Sequence, residues 1–130
     1  MSTRAVVNFR ESESGSKQKT IVAKIYRHSD GYPDGLGKDL KKFLKIVKTT
    51  LDDTRFGDAS YLAAKWVVHD SARYNVNTDW SNGGTETRKE NPLDFLSVGI
   101  VTENPGDIEY EYFVDCSASN KMPKISHKKI

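Results

Sequence analysis

One cysteine, two methionines and four prolines among 130 residues exclude several kinds of chemistry at the outset. Cys116 stands alone, so it cannot close an internal disulfide or fill a four-cysteine zinc site. No apolar run has the length of a signal peptide or a membrane span, and the expectation is a cytoplasmic protein with no membrane partner. Charge of one sign is scarce as well. Twenty Lys and Arg against eighteen Asp and Glu give a net charge of +2, weaker than a general binder of nucleic-acid polymers carries. Only His28, His69 and His127 offer imidazole, and none stands in a recognised metal or nucleophile motif. No cofactor, metal site or catalytic residue is expected from this set.

What the chain does hold is an ordinary soluble composition, with 36% hydrophobic and 29% charged residues, and a length suited to one domain, 1–130. "TRAVVNFRE" and "TIVAKIYR" read as two strands of a hairpin, with Ala5, Val7 and Phe9 on one face of the first and Ile21, Ala23 and Ile25 on one face of the second. Leu36, Leu40, Phe43, Leu44, Val47 and Leu51 follow the spacing of an amphipathic helix that covers those faces. A second helix is expected from Ser60 to Ala72, capped by Asp58 or Ser60, with Leu62, Ala63, Trp66 and Val67 as its apolar stripe. Residues 71–92 show no sustained periodicity and read as a long functional or flexible loop. Beyond them, "FLSVGIVTE", a turn at Asn104–Asp107 and "IEYEYFVDC" read as two further strands, and "KISHKKI" as an edge strand or a docking tail. The expected fold is α+β in the order ββααβββ, with two helices packed on an antiparallel sheet.

Candidate binding groups cluster where elements meet. In "IYRHSDGYPDGLGKDL", Asp30, Gly31 and Pro33 suit a tight corner, Asp34 suits a helix cap, and Arg27 with His28 either close that corner or hold an anion. Arg55 and Phe56 offer a cation and a ring at the start of the second helix, although Phe56 also suits a core. In the long loop, Trp80, Asn82 and Arg88, with Tyr74 and Lys89 nearby, supply a stacking face, an amide for a base edge and positive charge for phosphate. Trp80 equally suits a pin that holds the loop against the body or another subunit. The lysines of the first helix and of the C-terminus read as solvated faces. Cys116 reads as a small inert hydrophobe.

Taken together, an N-terminal "STR" strand, "IYRHSDGYPDGLGKDLKKFL", "YLAAKWVV" and "EYEYFVD" resemble the phage Thoeris anti-defence sponge family of the first type. The resemblance covers most of the chain and is weakest at 71–92. It implies a non-enzymatic protein, acting in the infected bacterial cell, that binds a cyclic ADP-ribose isomer made by TIR-domain proteins and keeps it from its effector. It also implies a homo-oligomer, and in some members a separate site for cyclic oligonucleotides. The contacts expected from this chain's own chemistry are Arg27, His28, Arg55, Phe56, Trp80, Asn82 and Arg88. Two other classes stay open: a phosphodiesterase-like enzyme using His28 with Asp30, and a protein-binding inhibitor of a host defence enzyme.

Overall fold

The computed structural model describes residues 2–12, 17–72, 76–88 and 98–130. Its elements are β1 (Ala5–Ser12), β2 (Lys19–Arg27), α1 (Lys38–Thr50), α2 (Ala59–Ala72), β3 (Val76–Asp79), β4 (Thr85–Arg88), β5 (Val98–Val101), β6 (Tyr110–Ser117) and β7 (Lys124–Lys129). The α+β class is as expected, and the strand arrangement is not. Five strands form one sheet in the order β5-β2-β1-β6-β7, while β3 and β4 form a separate two-stranded sheet. The main sheet is mixed, because β1 pairs antiparallel with β2 but parallel with β6.

The parallel pair follows from where β5 docks. β5 adds to the outer edge of β2, so residues 102–109 must carry the chain back past β2 and β1 before β6 begins. The Asn-Pro-Gly-Asp sequence is thus part of a crossover and does not join two paired strands. That crossover covers the sheet face turned away from the helices. Ile108 is buried there, and Asn104 bonds both Lys24 of β2 and Glu111 of β6, each at 2.8 Å.

The opposite face carries the hydrophobic core. Ala5, Val7 and Phe9 stand at 0% exposure against Leu40, Phe43, Leu44 and Val47 of α1 and Leu62, Ala63 and Trp66 of α2. Phe43 meets Trp66 edge-on, with ring centroids 5.4 Å apart. Of the inward residues expected on β2, Ile25 is buried and Ala23 packs at the margin, but Ile21 is 43% exposed. A register shift between Phe9 and Arg10 sets Ile21 opposite Arg10 and turns it to the other face, as one extra residue in a strand must.

α1 starts at Lys38, later than the apolar spacing alone indicates, because a single π turn, Pro33–Gly37, precedes it. The amide of Lys38 already donates to the carbonyl of Pro33. Asp34 therefore does not cap the helix, and its exposed carboxylate makes only a 3.9 Å ion pair with Lys38. α2 is capped as expected at Asp58, whose Oδ1 accepts the Tyr61 amide at 3.3 Å and the Ser60 hydroxyl at 2.9 Å. Glu11 of β1 adds a second acceptor, taking the Ala59 amide at 2.7 Å. This bond ties the helix start to the sheet.

The corner that feeds α1 depends on two unusual residues. Asp30 itself adopts the left-handed conformation at φ 55, which Asp tolerates better than most. Gly31 is needed for space, since a Cβ there would stand 2.7 Å from the Ala5 Cβ and 2.9 Å from the Thr3 carbonyl oxygen. Its amide donates to that same Thr3 oxygen at 2.9 Å, and its carbonyl accepts the Tyr112 hydroxyl at 2.7 Å. Gly31→Ala is expected to destabilise the protein by about 1–3 kcal/mol through overpacking. Gly106→Ala, where nothing lies within 4 Å, should change stability by no more than about 0.5 kcal/mol. Urea denaturation of the two variants checks the contrast, and equal effects would refute this account of the corner.

Candidate ligand-binding site

Period-two alternation sends Arg27 and His28, the middle residues of "YRHS", to opposite faces of the sheet. Arg27 pairs in register with Ala5 on the helix-facing side and has 0% exposure. Its Nη2 donates to Asp39 of α1 at 2.8 Å, and its Nε lies 3.7 Å from Asp70 of α2. One guanidinium thus joins β2 to both helices. Among the described residues its Nη1 and Nε have no hydrogen-bond partner, nor does the nearby Trp66 Nε1. To clamp a ligand phosphate, Arg27 would have to be uncovered and drawn from these carboxylates. Its geometry is that of an internal anchor.

His28 faces outward. Its Nδ1 lies 2.8 Å from the Tyr26 hydroxyl and 3.4 Å from Arg4 Nε, which donates to it. An Nδ1 that accepts leaves the ring proton on Nε2, directed away from this cluster. Arg4 in turn bonds Asp107 at 2.7 Å, so His28 belongs to a surface network joining β1, β2 and the crossover.

Arg55 and Phe56 also part company. Arg55 has φ 48, a bend that leaves it in solvent while Phe56 enters the core at 3% exposure. A ring so buried offers no open face for stacking, so Phe56 serves the core. The Arg55 guanidinium donates from Nε to Asp53 at 3.2 Å and lies 4.3 Å from the centre of the Tyr61 ring.

The segment 71–92, expected as one long loop, contains the β3–β4 hairpin, with Val76 opposite Arg88 and Asp79 opposite Thr85. Between the strands, a 3-10 turn spans Trp80–Asn82 and is fixed by Asp79, whose Oδ1 accepts the Ser81 amide at 3.0 Å and hydroxyl at 2.6 Å. Gly83 and Gly84 follow at φ 74 and 80, values that favour glycine. Trp80 is 83% exposed, and Asn82 beside it is exposed too. Arg88 ends β4, and its side chain lies outside the described part, as do Tyr74 and Lys89 altogether.

Among the described residues, the expected contacts stand on separate elements. His28 stands at the end of β2, Arg55 in the α1–α2 connection, and Trp80 with Asn82 on the hairpin turn. The residues that sequence reasoning missed are Asp39 and Asp70, which hold Arg27. A signal for them existed: Arg27 lies two residues after the inward Ile25, and Asp70 lies four after Trp66 on the buried stripe of α2. A charge on each buried face implies a pair between them.

Electrostatics separate the remaining titratable groups. Cys116 is buried, and burial followed by the carboxylates of Glu11, Asp115 and Asp58 pushes its thiol up to about 12, which leaves it protonated and inert. On the outer face, burial pushes Asp115 up, but hydrogen bonds from Arg10 and Lys19 outweigh it and hold the carboxyl below its usual value. Among the described residues, no three His, Cys, Asp or Glu are grouped to hold a metal ion, and no helix is long and apolar enough to cross a membrane.

Asp70 behaves in the opposite way to Asp115. Burial raises it from 3.8 to about 6, with Arg27 opposing the shift. A raised carboxyl favours the folded state fully below its unfolded value and loses that contribution as pH climbs through the folded one. Between about pH 4 and 7.5 the wild type should thus lose on the order of 1–3 kcal/mol relative to Asp70→Asn. Urea titrations of both proteins at the two pH values measure this, and an offset that does not change with pH would refute the assignment. In comparisons with known proteins, no family model, no curated protein sequence and no solved structure matches this chain.

Proposed function

We propose that this chain is a phage anti-defence protein that binds a cyclic nucleotide immune signal, either a cyclic ADP-ribose isomer or a cyclic oligonucleotide, and sequesters it without cleaving it. The observation that carries the reading is Trp80, a large ring 83% exposed on a hairpin turn held by Asp79. Asn82 stands two residues away with donors and acceptors suited to a base edge. Base–aromatic stacking contributes about 1–3 kcal/mol per base, so such a ring is a reasonable centre for nucleotide capture. The likeness of "YRHSDGYPDGLG" to the sponge family supplies the choice of ligand class.

A sponge must win by affinity, and a dissociation constant of nanomolar order corresponds to roughly −12 kcal/mol. Trp80, Arg55 and His28 stand on separate elements, and in this reading a second copy supplies the groups that enclose the ligand. The protein would then act as a homo-oligomer.

The test is to incubate the protein with glycocyclic ADP-ribose, remove free ligand, denature by heat and assay the supernatant. Intact ligand recovered only after heating is the expected result. Trp80→Ala should weaken binding by at least about tenfold, or ~1.4 kcal/mol, with an unchanged melting temperature in the absence of ligand. Recovery of a cleaved product would instead favour a phosphodiesterase using His28. No binding across a panel of cyclic nucleotides would end the proposal.

A further inference from the structure

α1 turns most of its apolar residues against the sheet but leaves Ile46 outside, and α2 is apolar on two sides. Leu62, Ala63 and Trp66 face the core, while Tyr61 and Val68 on the far side are 50% and 72% exposed. Across from them, Ile46 and Leu51 of α1 and its C-cap are 41% and 40% exposed. These four line one cleft of about 400 Å³ between the helices, with Phe43 and Val47 at its floor. Single exposed apolar residues need no explanation, but a concave apolar group of this kind marks a binding groove.

The rim of the cleft is cationic. Lys65, in the wall, stands 5.5 Å and Arg55 4.3 Å from the centre of the Tyr61 ring, and the charge of Lys42 reaches His69 in the wall at the other end. The neighbouring carboxylates are already engaged, Asp39 by Arg27 and Asp53 by Arg55. The net rim charge is therefore positive above an apolar floor. The lining runs from Phe43 to Leu51 along α1 and from Tyr61 to His69 along α2, so the walls run for about 12 Å. A groove of that length and chemistry takes two turns of a helix, enough for apolar anchors at i, i+3 or i+4, and i+7.

We propose that the cleft between α1 and α2 receives an amphipathic helix of a partner protein, apolar on the side that enters and acidic along its flanks. A second copy of this chain is a poorer occupant, since presenting the same face would set the lysines of α1 against one another. A bilayer is poorer too, because Phe43 and Val47 lie at the bottom of a concavity. The guest places apolar anchors at i, i+3 or i+4, and i+7 between the helices, and its carboxylates meet Arg55, Lys65 and Lys42. This surface is separate from the Trp80 hairpin, and its use does not depend on the nucleotide reading.

The probe is a fluorescein-labelled helical peptide of about 15 residues with Leu at those spacings and Glu elsewhere, compared with a companion carrying Lys in place of Glu. Fluorescence anisotropy with the full chain should show the Glu peptide binding at least about tenfold more tightly than the Lys peptide. Val68→Asp and Lys65→Glu should each weaken the Glu peptide by about tenfold without altering the circular dichroism melt, since Val68 is exposed and Lys65 is half-exposed at the rim. Equal binding of the two peptides, no binding up to about 1 mM, or indifference to both substitutions would overturn the proposal. Two other occupants would also overturn it: a wild-type oligomer that Val68→Asp converts to monomer in sedimentation equilibrium, or binding to phosphatidylserine vesicles that the same substitution abolishes.

Discussion

β1 has no open side, and the remaining elements are arranged around that condition. Its edges are taken by β2 and β6, one face lies under the helices, and the other lies under the 102–109 crossover. Residues Ala5 to Phe9 all stand at 0% exposure, including the polar Asn8. A buried amide is tolerable only if its hydrogen bonds are met. Asn8 Nδ2 donates to Glu111 at 3.0 Å and to the Tyr112 carbonyl at 3.1 Å, while its Oδ1 accepts from Lys24 at 2.7 Å. Lys24 and Glu111 are themselves bound to Asn104, so a demand made by one residue of the central strand fixes where the crossover lies. Burial pushes Glu111 up, yet its bonds from Asn104, Asn8 and Lys128 hold it below the ordinary value. The outer face is thus an ionised, fully bonded network, continued by the bidentate Arg10–Asp115 pair at 2.6 and 3.0 Å.

The helix-facing side applies the opposite strategy at one place. Arg27 enters an otherwise apolar core with Asp39 and Asp70, and the Asp70 carboxyl is raised by its burial. Breaking a buried pair is far more costly than never having formed it, so the cluster adds little net stability and much specificity. It fixes how the ends of α1 and α2 sit on the last residue of β2. Phe43, Trp66 and His69 continue the contact with ring centroids 5.3 to 5.7 Å apart. Further along, the cleft between the helices opens.

Much of this was legible from residue order where a period carried the information. The alternating Ala5, Val7 and Phe9 mark the inward face of β1, the leucines and Phe43 mark α1, and Asp58 marks the start of α2. The parallel β1–β6 pair was not legible, because Asn-Pro-Gly-Asp suits a hairpin turn as well as a bend in a crossover, and only the edge chosen by β5 decides between them. The β3–β4 hairpin escaped for a different reason. "VNTD" and "TETR" are short and polar, with no apolar alternation, and the sole cue was Asn-Gly-Gly between them. At the candidate site, residue type was legible and orientation was not. Arg27 and His28 are neighbours in sequence, and the pleat places one in the core and the other in solvent.

That separation governs what a ligand can use. Two arginines with outward access, Arg55 and Arg4, are both bonded to carboxylates, Asp53 at 3.2 Å and Asp107 at 2.7 Å. Exposed pairs of this kind contribute little to stability, about 0–1 kcal/mol, and exchanging such a carboxylate for a phosphate therefore costs little. Arg27 is in a different position, since taking its charge away would leave the buried Asp70 and the part-buried Asp39 without that cation. An anion meeting this surface thus finds cations held in place by weakly competing partners at the periphery, and a strongly held one inside that keeps the helices in register. Positioned surface charge and a fixed internal anchor play separate parts, and in the proposed reading the exposed ring of Trp80 belongs with the former.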